Sequence, residues 1–134
     1  VDVVLEERPE GQNTAARRGI ARAREGGAGA VLLLSSDLPL VTRAHLEAML
    51  AAGGALEGPR AVAAPATGRG GTNALYLAPP DALDLHFGDD SLNKFRRDAV
   101  ARGVRFELHE SPALALDLDE PPDLATLAAL GATR

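Results

Sequence analysis

Apolar residues along this chain come in short runs separated by glycine, proline and charge, and the runs differ in period. Val1 to Leu5 reads as a short strand, broken by the polar connector Glu6 to Gly11 with its Pro and Gly. Asn13 or Thr14 can cap a helix through Arg24, because Ala16, Ile20 and Ala23 fall on one stripe. Gly26-Gly27-Ala28-Gly29 ends that helix. Val31 to Leu34 is an unbroken aliphatic run between turn residues, the pattern of a central parallel strand buried on both faces. Thr42 is placed to cap a helix over Arg43 to Ala52, with Leu46, Met49 and Leu50 inward and Gly53-Gly54 as its stop.

The second half continues the alternation. Ala61 to Ala64 is a strand ended by Pro65, and a glycine-rich loop runs from Thr67 to Asn73. Ala74 to Leu77 is a strand closed by Pro79-Pro80-Asp81. The turn Phe87 to Ser91 puts Ser91 at the N-cap of a helix over Leu92 to Arg102, with Gly103 just past its end. Arg105 to Glu110 alternates, Phe106 and Leu108 on one side, as a half-buried strand does. Leu114 to Asp119 alternates again, and Pro121-Pro122 opens a last helix that carries Leu124, Leu127 and Leu130 and ends at Gly131. Strands alternating with helices predict a layered α/β sheet.

Composition narrows the function classes. The 134 residues suit one domain, and with 46% apolar but only 3% aromatic residues the core must be aliphatic and alanine-rich. Fourteen basic against nineteen acidic side chains give a net charge of −5, which argues against a nucleic-acid surface but leaves room for a nucleotide. With no cysteine, disulfides and thiolate metal sites are excluded. No apolar run is long enough to span a bilayer and no basic-then-apolar leader precedes the first strand, so no membrane partner is expected and the expected location is cytoplasmic.

Three carboxylates stand out as candidate chemistry. Asp37 falls at the carboxyl end of the Val31 to Leu34 strand, the edge where open α/β sheets bind ligands. It reads either as a ligand for a hard cation such as Mg²⁺ or as a turn residue before Pro39. Asp117 and Asp119, two apart on an expected strand, project from one face and repel unless a cation or proton lies between them. Asp119 also suits a helix N-cap, whereas Asp117 has no such structural role. Gly68 to Asn73, with three glycines, Arg69 and Thr72, can cradle an anion or be merely flexible. Gly88 to Ser91, at a helix N-terminus, is a second anion candidate or an ordinary serine cap. His45, His86 and His109 lack ligand spacing and read as surface residues; Ser35 and Ser36 lack a hydrolase nucleophile's setting.

Taken in order, Gly11-Gln12-Asn13, Asp37-Leu38-Pro39-Leu40, Gly70-Gly71-Thr72-Asn73-Ala74-Leu75, Phe87-Gly88-x-x-Ser91 and Asp117-Leu118-Asp119-x-Pro-x-Asp123-Leu124 resemble the 2-phospho-L-lactate / phosphoenolpyruvate guanylyltransferases of deazaflavin coenzyme F-420 biosynthesis. The resemblance runs through nearly the whole chain. It implies a three-layer α/β fold with a mixed, mostly parallel sheet, Rossmann-like and of the nucleotide-diphospho-sugar transferase type. It implies GTP and a small phosphorylated acid as substrates, with pyrophosphate released. By motif, Asp37, Asp117 and Asp119 would hold Mg²⁺, Thr72, Gly88 and Ser91 would hold the acid, and Asn13 would lie near the nucleotide, while Arg69 of the glycine-rich loop is expected to join the acid's contacts through its charge. No protein nucleophile or general base is expected, since such transfers need positioning and charge neutralisation above all. The family begins with a strand and a nucleotide-binding loop without counterpart here, so the expectation is a single nucleotidyltransferase domain, residues 1–134, lacking that start. The alternatives are a relative using another nucleotide or acceptor, such as CTP, a sugar phosphate or molybdopterin, and a non-catalytic α/β ligand-binding module.

Overall fold

Among the described residues nine elements follow one another: β1 (Asp2–Glu6), α1 (Gln12–Glu25), β2 (Val31–Ser35), α2 (Arg43–Gly54), β3 (Arg60–Pro65), β4 (Thr72–Ala78), α3 (Ser91–Arg102), β5 (Arg105–Leu108) and the single turn α4 (Pro112–Ala115). The structure, a computed structural model, describes residues 2–6, 12–35, 38–67 and 70–116. Its strands form one sheet in the order β1-β2-β4-β3-β5. β1 runs parallel to β2 and β3 parallel to β5, while β4 is antiparallel to both its neighbours, β2 and β3. The sheet is therefore mixed, but the expectation of mostly parallel pairing is corrected, because both ladders of β4 are antiparallel. The connection explains this. Only residues 66–71 join β3 to β4, too short for the dozen or so residues that a parallel crossover needs.

Side-chain alternation sorts the core into two layers. Val31, Leu33, Ala61, Ala63, Leu75 and Leu77 face α1 and α3, meeting Ala16, Ile20 and Ala23 of the one and Phe95 and Ala99 of the other. Leu32, Leu34, Val62, Ala64, Ala74 and Tyr76 face the opposite way, against Met49 of α2 and Leu114 of α4. Val31 to Leu34 are all buried, as the unbroken aliphatic run predicts, and each such leucine contributes about 1.5–3 kcal/mol on burial. The stripe predicted for α1 is likewise the buried one.

Several boundaries differ from expectation for local reasons. Gly53-Gly54 does not stop α2, which runs through both glycines. A Cβ on Gly53 would overlap the Tyr76 ring, so glycine here lets the helix close onto the sheet. Arg60 locks that approach: its Nε donates to Gly53 O at 2.8 Å and its guanidinium lies 5.9 Å from the Tyr76 ring centre. Thr72 and Asn73 belong to β4 rather than to the glycine loop. Leu114 and Ala115 are helical, not strand, because Ser111 accepts from the Leu114 N–H at 3.4 Å and Pro112 starts the turn. β5 ends at Leu108, which is 41% exposed on this edge strand, while Phe106 packs against the α1/α3 layer. The helix expected from Pro121 lies outside the described residues.

Candidate active site

The carboxyl ends of β1, β2, β3 and β5 share one edge of the sheet with the start of β4, and what gathers there follows from an irregularity in β4. Ala64 pairs with Ala74 and Pro65 with Thr72, so Asn73 is an extra residue, a β-bulge. Leu75 and Leu77 face the α1/α3 layer, and strict alternation would send Asn73 there and Thr72 to the other side. The bulge reverses this. Thr72 meets Ser91 of α3, and Asn73 meets α4 in the opposite layer.

The Ser91 hydroxyl donates to Thr72 Oγ1 at 2.9 Å, and both residues are buried. With its oxygen accepting, Thr72 keeps its own O–H to donate, and accepting a bond strengthens that donor. Ser91 is not the N-cap expected of it. Asp90 occupies that position in the left-handed conformation at φ 57°, and Ser91 is the first helical residue. The first amides of α3 are partly spent: Ser91 N–H donates to Gly88 O at 3.2 Å and Leu92 N–H to Gly70 O at 2.9 Å. These bonds tie the glycine loop to the helix start. Gly70, at φ 68°, lies close enough to Asp90 that a side chain there would crowd its carboxylate. Gly88 has φ 123°, a backbone that side chains strongly disfavour, and sits exposed in the turn.

Two arrangements hold this turn from behind. Asn13, near the start of α1, donates to Phe87 O at 3.3 Å and accepts from Phe87 N–H at 3.0 Å, so both ends of its carboxamide are engaged. Asp98 on α3 accepts from the Asp84 N–H at 3.0 Å, pairs with His86 Nε2 at 3.1 Å, and accepts from Arg102 Nε at 2.8 Å. Arg102 also reaches Asp84 at 2.6 Å. Desolvation raises the Asp98 pKa, but the bonds from His86, Asp84 N–H and Arg102, with the Arg102 charge, outweigh it and hold the carboxyl below its usual value. His86 and Phe87 both meet the Phe95 ring edge-on, at 5.3 Å between centres. His86 is thus half-buried and engaged, not the surface residue its isolation in the sequence suggested.

Of the expected site residues, Thr72, Gly88, Ser91 and Asn13 are brought to one place. Asp37, Arg69, Asp117 and Asp119 lie outside the described residues. Among the described residues no three His, Asp or Glu side chains form a metal-ligand group, and no helix is long and apolar enough to cross a membrane. Sequence reasoning missed Asn73 and Asp98. For Asn73 a signal existed, an amide residue leading directly into a strand, where such residues are depleted; for Asp98, on a helix face among arginines, there was none.

The fold and the gathered edge define a class, the α/β architecture of nucleotide-diphospho-sugar transferases. The structure superposes on the crystal structure of a putative nucleotide-diphospho-sugar transferase from Desulfovibrio desulfuricans G20 with a TM-score of 0.63 at 18% identity, covering 86% of this chain and 49% of that one. Within that architecture the chain belongs to the family described as "CofC: Guanylyl transferase CofC like", which it matches over residues 1–134. It is 49% identical to a phosphoenolpyruvate guanylyltransferase of Rubrobacter xylanophilus, across 90% of this chain and 58% of that protein. It is 26% identical to a 2-phospho-L-lactate guanylyltransferase of Methanocaldococcus jannaschii, across 92% of this chain and 52% of that protein. The chain thus spans little more than half the length of these relatives.

Proposed function

We propose that this protein joins GTP to phosphoenolpyruvate, releasing pyrophosphate, as a step of deazaflavin coenzyme F-420 synthesis. The observation that carries this reading is the Ser91–Thr72 hydroxyl pair at the ligand-binding edge of the sheet, in a chain of the guanylyltransferase family. Relatives named for phosphoenolpyruvate reach 49% and 41% identity, against 26% for one named for 2-phospho-L-lactate, which favours the unsaturated acid.

In this reading an oxygen of the acid's phosphate attacks the α-phosphorus of GTP, the bond to the bridging oxygen breaks, and pyrophosphate leaves with that electron pair. Thr72 donates its free hydroxyl hydrogen to the acid's anionic end, with Ser91 orienting it and Arg69 supplying charge. The open backbone at Gly88 leaves room for the acid beside the start of α3. Asn13 supports the same turn by fixing Phe87, and through it Gly88. Asp37, Asp117 and Asp119 would hold Mg²⁺, for which an all-carboxylate donor set is chemically suited. Leu40, three residues after Asp37, packs with Leu116, directly before Asp117, which supports a shared site. The metal, when bound, would neutralise charge on the triphosphate.

Incubating the complete protein with GTP, Mg²⁺ and, separately, phosphoenolpyruvate, 2-phospho-L-lactate and 3-phospho-D-glycerate tests the proposal through pyrophosphate release. The expected result is turnover greatest with phosphoenolpyruvate and abolished by chelation. Release with none of the three acids overturns the reading.

A further inference from the structure

We propose that the outer edge of β5 is an interface between two copies of this protein, joined by antiparallel pairing of β5 with itself about Phe106. β5 is an edge strand of the sheet and pairs with β3 alone. The Arg105 N–H donates to Pro59 O at 3.0 Å and the His109 N–H to Ala63 O at 2.8 Å. Arg105, Glu107 and His109 therefore turn their backbone groups toward β3, and by strand alternation Phe106 and Leu108 turn theirs to the open side. Such an edge is a template for another strand.

The side chains select which strand fits. Phe106 packs against the α1/α3 layer, so Val104, Phe106 and Leu108 share that face, while the exposed Arg105 and Glu107 share the other. Antiparallel pairing with a two-fold axis at Phe106 sets Arg105 opposite the partner's Glu107, and Glu107 opposite the partner's Arg105. These are the positions without backbone bonds, where facing side chains approach most closely. Neither residue has an ion-pair partner among the described residues. Phe106 exchanges both its backbone bonds with the partner's Phe106, and the Leu108 N–H donates to the partner's Val104 carbonyl. The Val104 N–H itself is spent on Ala99 O at 2.9 Å. An axis one residue further on would set Glu107 against the partner's Glu107, like charges that repel.

An apolar patch borders the same edge. Among the described residues the exposed large hydrophobics are Val100, at 79%, and Leu108. Val100 stands one turn beyond Arg96, whose guanidinium lies 6.0 Å from the Phe106 ring centre, so it is on the flank of α3 next to β5. In the pairing Leu108 meets the partner's Val104, and Val100 lines the join. Because the contact is the same on both copies, it closes at a dimer.

Sedimentation velocity on the complete protein, from micromolar concentration upward, tests this together with hydrogen exchange at Phe106 and Leu108. Wild type is expected to dimerise, with both amides exchanging faster on dilution. Arg105→Glu and Glu107→Arg each set like charges opposite one another and are expected to raise the dissociation constant at least about 10-fold. Mixing the two variants restores every charge pair, since one copy then carries two glutamates and the other two arginines. The mixture is expected to form a dimer of near wild-type affinity, a recovery that misfolded variants could not give. Wild type that stays monomeric throughout, its edge charges serving only to keep copies apart, overturns the proposal. So does a dimer that both single variants leave intact, or a mixture that dimerises no better than its components.

Discussion

Ser91 and Thr72 belong to different layers of secondary structure, yet their hydroxyls meet at 2.9 Å in a buried setting, the first residue of α3 donating to the first residue of β4. The pair fixes the start of a helix to the start of a strand. It also leaves the Thr72 hydroxyl hydrogen without a partner among the described residues.

Replacing Ser91 by Ala removes the donor and lets the Thr72 hydroxyl rotate. The expected cost is about 1–2 kcal/mol of stability from the lost buried bond, measured by urea unfolding. KM for phosphoenolpyruvate should rise about 10-fold, the equivalent of one such bond in binding, with a smaller change in KM for GTP. Equal effects on both KM values would contradict the assignment of this pair to the acid.

Asn13→Ala breaks both bonds to Phe87 and frees the turn that leads to Gly88. Because the Phe87 N–H is left without its carboxamide acceptor, destabilisation of about 1–3 kcal/mol is expected. Asn13→Asp keeps that acceptor but loses the donor to Phe87 O, so it should fall between wild type and Asn13→Ala in thermal melts and in KM for the acid. A direct role on the nucleotide alone would instead raise KM for GTP and leave the melting temperature unchanged.

Asp98 gives a pH-dependent contribution whose sign is determined. Its carboxyl is held below the ordinary value of 3.8 in the folded protein, so the stabilisation is complete above that value and fades as pH falls through the lower folded value. At pH 7 the Asp98→Asn variant should be less stable by about 1.5–3 kcal/mol, the range for hydrogen bonds to a charged group. Denaturant titrations at pH 7 and at successively lower pH check this: the gap between wild type and variant should narrow only below pH 3.8. A gap independent of pH would show that the carboxylate charge contributes nothing.

Two adjacent glycines make a controlled comparison. Gly53→Ala places a methyl against the Tyr76 ring, which Arg60 holds in place, and overpacking of this kind costs about 1–3 kcal/mol despite alanine's better helix propensity. A methyl on Gly54 meets nothing within 4 Å, so Gly54→Ala should be neutral or stabilising by up to about 1 kcal/mol. Calorimetric melting of the two variants, expected to shift in opposite directions or only for Gly53, settles the role of each.

Much of this arrangement could be read from residue order, and the failures share a cause. The stripe Ala16, Ile20 and Ala23 and the run Val31 to Leu34 announce their burial because each is decided by its own element's period. Strand direction is not local: β4 takes the place between β2 and β3, and only the shortness of residues 66–71 hints at it. Gly53 looks like a stop because its reason for being glycine is Tyr76, more than twenty positions away. Leu114 and Ala115 sit in a run that alternates like a strand, but Ser111 and Pro112 start a helical turn first. Among the candidate site residues, Thr72, Gly88 and Ser91 are legible as a motif. That Thr72 and Asn73 face opposite layers is not, since a bulge changes the face of a residue without changing its type.

The Ala66 N–H to Gly71 O bond closes the loop between β3 and β4 at its base, at 2.9 Å. Extra residues accepted inside that closure would leave both strands in register, at the expense of the bond from Leu92 N–H to Gly70 O. One residue added or removed between Thr72 and Ala74 is another matter. It would exchange the layers that neighbouring side chains address, turning Thr72 from α3 toward α4 in one step. A change of length in the loop should therefore disturb one tie to α3, and the same change two residues further on should disturb both layers.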